Sequence, residues 1–133
     1  MEQGNFLGID WGKRKVGLAI ASSETAVAVA YATIENNDTL FEKLNHIITT
    51  EEIHVVVIGD PQHQYREAEQ GKLIKSFSEK VRQLGVQVVF SNEIFTSQLA
   101  QKSLLALGHR HVTKQDDAEA AKILLQGWLD QQG

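Results

Sequence analysis

Residues His54 to Gly59, HVVVIG, form a continuous apolar run of the kind found in strands covered on both faces. Such a strand belongs at the centre of a sheet with helices on either side. Around it, Asn5 to Trp11 and Lys15 to Ala21 are apolar, β-branched-rich runs joined by a short basic connection containing glycine, the pattern of a β-hairpin, and Val27 to Ile34 reads as a third strand. Asp38 offers an N-cap for a helix through about Thr50, with Leu40, Phe41, Leu44, Ile47 and Ile48 at helical spacing. The loop beginning Gly59-Asp60-Pro61 ends the central strand. A helix follows from Glu67 to Leu84, with Leu73, Ile74, Phe77, Val81 and Leu84 on one face and Gly85 as its stop. Val86 to Phe90 is a further strand with Ser91-Asn92-Glu93 at its end, and helices are expected over Thr96 to Leu107 and Asp116 to Leu129.

Three strands that can pair antiparallel, followed by strands that need helical crossovers, predict an α/β fold with a mixed five-stranded sheet. The crossovers favour HVVVIG beside the first strand, with Val86 to Phe90 outside it. At 133 residues and 42% hydrophobic, the chain suits one domain spanning residues 1–133 with a single well-filled core. It has no cysteine, which excludes disulfides, thiolate metal sites and cysteine nucleophiles. A net charge of −4 argues against a general basic coat for nucleic acid, leaving two local clusters: Lys13, Arg14 and Lys15, and His109, Arg110, His111 and Lys114. The opening MEQGNFLG has no basic, apolar leader pattern, and no run of about 18 apolar residues occurs, so a soluble cytoplasmic protein without membrane contact is expected.

Asp10 is the residue that a buried hairpin does not explain, because aspartate is depleted in strands and costly to bury as an ion. Strand alternation puts Leu7 and Ile9 on one face and Phe6, Gly8 and Asp10 on the other, so the small Gly8 leaves room beside the carboxylate. Asp10 is either a ligand for a metal or phosphate, or a turn residue opening the Trp11-Gly12 loop. Glu93 follows a strand expected to run parallel to the first, at the sheet edge where α/β proteins place ligands; its other reading is a loop or capping glutamate. In DDAEAAKILLQGWL, Asp117 heads the stripe Ala121, Leu124 and Trp128, so it is expected to face inward while Asp116 caps; plain N-capping serves for both.

Three carboxylates in one place repel one another unless cations hold them together. Hard oxygen donors without cysteine or clustered histidine suit Mg²⁺ or Mn²⁺, and paired ions can hold both the attacking water and the leaving oxygen of a phosphodiester.

In GIDWGKRKVGLAIA, VVVIGDP, NEIFTS and DDAEAAKILLQGWL, in that order, the sequence resembles the YqgF/RuvX-type pre-ribosomal RNA nucleases, relatives of the RuvC Holliday-junction resolvases with an RNase H-like fold. The resemblance implies a metal-dependent phosphodiesterase with Asp10, Glu93 and Asp117 as its acidic residues. Its substrate would be structured RNA, such as the 5′ end of pre-16S rRNA, or branched DNA, and the protein a monomer or homodimer. Lys13 and Arg14 match the family's basic hairpin turn and would grip the backbone of the nucleic acid. Thr96 matches its threonine, as a helix cap or phosphate contact. The sequence departs from the family where Asn92 and Ile94 replace an aspartate and an arginine, and where Asp60 replaces a leucine. Asp60, at the end of the strand beside the first, is expected to supply the missing acidic ligand. Trp11 is read as a packing residue in preference to a base-stacking one.

Two other readings compete. The GIDWG opening also looks like the phosphate-binding hairpin of actin-like ATPases and sugar kinases, but those need two lobes and this chain has room for one. A catalytically impaired domain that binds nucleic acid or protein is the other, favoured by the altered Asn92/Ile94 block.

Overall fold

The computed structural model describes residues 4–60, 68–92 and 115–132. Among these it has β1 (Asn5–Trp11), β2 (Lys15–Ser22), β3 (Ala28–Glu35), α1 (Leu40–Thr50), β4 (Ile53–Asp60), α2 (Ala68–Arg82), β5 (Gln87–Asn92) and α3 (Gln115–Gln132). The sheet order is β3-β2-β1-β4-β5. The first three strands are antiparallel, β4 is parallel to β1, and β5 is parallel to β4. This is the expected mixed sheet, with the apolar HVVVIG run beside the first strand and the last strand outside it. The helix expected over Thr96 to Leu107, the loop after Asp60 and the basic cluster at 109–114 lie outside the described residues.

Two cores explain the hydrophobic patterning. On one face, Leu7, Ile9, Trp11, Val16, Leu18, Val56 and Ile58 pack against Leu40, Leu44, Ile47 and Ile48 of α1 and Ile74, Phe77 and Val81 of α2. On the other, α3 sets Ala121, Leu125 and Leu129 against Ala19, Ala21, Ala28, Val55 and Val57. β4, between β1 and β5, is therefore covered on both sides, which is why its stretch Val55 to Ile58 is apolar, each fully buried valine or isoleucine contributing about 1.5–3 kcal/mol. The α3 face is lined by small residues, so the helix sits close to the sheet there. No described helix is long and apolar enough to cross a membrane.

Three local expectations are corrected. Asp38 does not cap α1; Thr39 holds the N-cap position without a side-chain cap bond. The chain is turned into the helix one step earlier, where Asn37 Oδ1 accepts from the Thr39 amide (2.9 Å) and the Thr39 hydroxyl (2.7 Å). Leu73, placed on the buried stripe of α2, is exposed, because Ile74, Phe77 and Val81 set the centre of that stripe and Leu73 lies about 100° round the helix from Ile74. β3 begins at Ala28, leaving Val27 exposed ahead of it. Gly85 does end the turn after α2, in the left-handed conformation at φ 95°.

Candidate active site

The pleat of β1 sends Leu7, Ile9 and Trp11 into the α1–α2 core and leaves Gly8 and Asp10 on the α3 side. The space beside Asp10 is used differently from the expectation. A Cβ on Gly8 would come within 2.8 Å of Leu125 Cβ and 3.0 Å of the Ala121 carbonyl, so Gly8 makes room for α3 and not for a ligand.

Gly17 is the more informative glycine. It pairs with Asp10 across the β1–β2 ladder. A Cβ there would collide with the carbonyl of Asp117 and the amide nitrogen of Ala118. The first turn of α3 thus rests directly on β2 at the position opposite Asp10, which brings Asp117 and Asp10, more than 100 residues apart in the chain, to one rim of the sheet. Asp10 and Asp117 are both half-buried, whereas Ala121, Leu124 and Leu125 below them are closed off from solvent. Asp117 stands one helical turn before the buried Ala121. A carboxylate in a first helical turn is stabilised by about 0.3–1 kcal/mol at the positive end of the helix dipole.

The far end of α3 is fastened too. Gln126 Oε1 accepts from the Ala28 amide (2.9 Å), and its Nε2 donates to the Ala26 carbonyl (3.1 Å) and to Asp130 Oδ1 (3.0 Å). Trp128 packs edge-on against Phe6 at 5.6 Å between ring centroids. With the helix clamped at that end and seated on two glycines, the position of Asp117 relative to Asp10 is set by packing.

Two residues at this rim were not singled out from the sequence. Thr33 pairs with Gly17, so Asp10, Gly17 and Thr33 form one row across three strands, with the half-buried threonine on the same side of the sheet. A register shift between Leu18 and Ala19 brings Thr33 into that row, and nothing in the sequence marks it. Asn36 is the second: its Nδ2 donates to the Gly12 carbonyl (2.7 Å) and its backbone amide to the Arg14 carbonyl (2.8 Å).

The basic turn follows Asp10 directly, with Lys13 and Arg14 exposed. Trp11 is a packing residue, 8% exposed and 6.3 Å from Phe77 between ring centroids. Asp60 ends β4 as the register partner of Asn92, the last residue of β5. Glu93 and Thr96 lie outside the described residues. Among the described residues no group of three or more His, Asp or Glu is close enough to hold a metal ion. Asp10 and the first turn of α3 that carries Asp117 lie at the same rim, and carboxylate oxygens are hard donors of the type that suits Mg²⁺ or Mn²⁺.

The sheet and helices define an RNase H-like fold of the RuvC kind. They match the structure titled "T. thermophilus RuvC in complex with Holliday junction substrate" with a TM-score of 0.64 and 16% identity, covering 97% of this chain and 95% of that one. The "large terminase nuclease from thermophilic phage G20c" matches with a TM-score of 0.58 and 10% identity, covering 95% and 82%. Within that class the chain belongs to the RuvX family, described as Holliday junction resolvase, whose model matches residues 4–131. A relative named "Putative pre-16S rRNA nuclease", from Sulfurihydrogenibium sp. (strain YO3AOP1), is 32% identical over 129 residues, covering 94% of this chain and 89% of its own.

Proposed function

We propose that this protein is a divalent-metal-dependent nuclease that hydrolyses phosphodiester bonds in structured nucleic acid, processing the 5′ end of pre-16S rRNA, with branched DNA as the other substrate class. The observation that carries the reading is the seating of Asp117 on Gly17, directly opposite Asp10. Two half-buried aspartates on elements packed together at a sheet rim suit a cation site better than a core, where like charges repel. Membership of the RuvX family, described as Holliday junction resolvase, and likeness to a relative named as a pre-16S rRNA nuclease support the substrate classes.

In this reading Asp10, Glu93 and Asp117 are the acidic residues that would hold Mg²⁺ or Mn²⁺, with Asp60 as an additional ligand. A bound pair of such ions supplies the Lewis acidity that activates water and offsets charge on the departing oxygen. The chain's own contribution is placement. Asp10 comes from a central strand and Asp117 from a helix packed against it, so neither carboxylate reorganises as charge develops. Lys13 and Arg14 hold the nucleic-acid backbone beside Asp10, and Thr96 contacts phosphate or caps the following helix.

The test is cleavage of a labelled pre-16S rRNA 5′ leader and of a four-way DNA junction in Mn²⁺, with Asp10→Asn as control. Cleavage by the wild type that the control lacks supports the nuclease; preference between the substrates assigns the class. Binding without cleavage in any divalent metal would overturn it in favour of the non-catalytic binding domain to which Asn92 and Ile94 point.

A further inference from the structure

We infer that Asn36 is a positioning residue for nucleic-acid binding, which locks the basic turn Gly12–Arg14 beside Asp10 and acts through Lys13 and Arg14. The inference rests on the proposed nuclease reading and extends it to a residue that no motif includes.

Three observations carry it. First, Asn36 bonds both flanks of Lys13: its side-chain amide donates to the Gly12 carbonyl at 2.7 Å and its backbone amide to the Arg14 carbonyl at 2.8 Å. Second, the turn has little freedom elsewhere. Trp11 is anchored in the core, and Gly12 passes so close to the Lys15 carbonyl that a Cβ would come within 2.6 Å of it. Third, the cations are left outward, since Lys13 and Arg14 are exposed while Asn36 is half-buried beneath the turn.

The chemistry follows from the amide group. Asn36 donates a neutral hydrogen bond to the Gly12 carbonyl, and an aspartate at this position would present an acceptor to an acceptor. A flexible turn would lose backbone freedom each time its cations met phosphate; a turn already ordered loses less, so the gain appears as affinity. The backbone bond to Arg14 survives any substitution other than proline, and the side-chain bond to Gly12 is the part that mutation removes.

The test is fluorescence anisotropy with a labelled four-way DNA junction and a labelled RNA stem-loop, in Ca²⁺ at low salt, on purified full-length variants. Asn36→Ala is expected to weaken binding about three- to tenfold, the worth of one lost hydrogen bond. In a Lys13→Ala/Arg14→Ala background the same change is expected to cost less than about twofold, because the groups it positions are gone. Equal losses in both backgrounds would show that Asn36 does not act through the turn, and so would unchanged affinity in Asn36→Ala. Asn36→Asp, which keeps the size and reverses the hydrogen bond, serves where the alanine variant is poorly folded, and wild-type affinity in it overturns the inference. A wild type that binds neither probe defeats the nuclease reading itself, a result distinct from a wild type that binds with Asn36 indifferent.

Discussion

The carbonyl of Asp117 occupies the space that a side chain on Gly17 would need. Because Gly17 is the cross-strand partner of Asp10, one missing methyl group on β2 governs how closely the helix turn that carries Asp117 approaches the strand pair that carries Asp10.

Gly17→Ala is accordingly expected to be costly. The obstacle is helix backbone, which cannot swing aside as a side chain does, so overpacking of about 1–3 kcal/mol and a lower Tm are expected. Metal-dependent cleavage should fall further than stability alone explains, since α3 must lift at the turn that carries Asp117. Gly8→Ala meets Leu125 Cβ and the Ala121 carbonyl one turn further along and is expected to lower Tm with a smaller effect on cleavage per molecule folded. Thermal melts and single-turnover cleavage on both variants separate the two effects.

Asp10→Asn and Asp117→Asn should each lose cleavage by at least about a hundredfold while remaining folded. The informative measurement is the Tm shift on adding millimolar Mn²⁺. A ligand that binds only the folded state raises stability by about 2.7 kcal/mol at a hundred times its Kd. The wild type is expected to show such a shift and the Asp10 variant to lack it. An undiminished shift in Asp10→Asn would remove that residue from the metal site.

Asp60 is the proposed ligand that departs most from the family pattern. Its backbone pairs with Asn92, which stands where the family carries an aspartate, and this neighbourhood is the reason to propose a substitution of one acid for the other. Asp60→Ala is expected to reduce Mn²⁺ affinity severalfold, less than Asp10→Ala does. Isothermal titration with both variants decides it, and an affinity equal to that of the wild type in Asp60→Ala would leave the missing ligand unreplaced.

At the other end of the sheet, Tyr31 gives a pH prediction unrelated to catalysis. Desolvation of its phenol, together with the Glu51 carboxylate whose Oε2 accepts from the Tyr31 hydroxyl at 3.4 Å, raises its pKa above the ordinary value of 10.0. The neutral phenol is favoured in the folded state. Its contribution to stability is therefore complete below pH 10 and is lost as pH rises through the raised pKa. Tyr31→Phe should flatten the alkaline fall in Tm above pH 10 and leave the neutral range nearly unchanged. Because Tyr31 is largely exposed, the effect is small.

Much of this molecule was legible from local pattern. The apolar run of β4, the alternation of β1 and the glycine after α2 each follow from a short-range rule, and so did the sheet order once β4 was placed beside β1. Asp10 was conspicuous because a carboxylate breaks the strand pattern. Asp117 was noticeable because Ala121 and Leu124, which follow it at helical spacing, are buried. What local pattern misread was the use of space: Gly8 suggests a vacancy beside Asp10, whereas the helix that fills it comes from more than 100 residues further along the chain.

Sequence by itself determined the identities of the strands, the faces they present and the acidic and basic residues available for chemistry, because period-two and period-3.6 patterns encode burial residue by residue. Only the tertiary structure decided that Asp117 lies against Gly17, that Thr33 joins the row of Asp10, and that Asn36 holds the turn carrying Lys13. Those relationships depend on cross-strand register and on how closely α3 can approach the sheet, quantities set by all the packed residues together and by no segment alone.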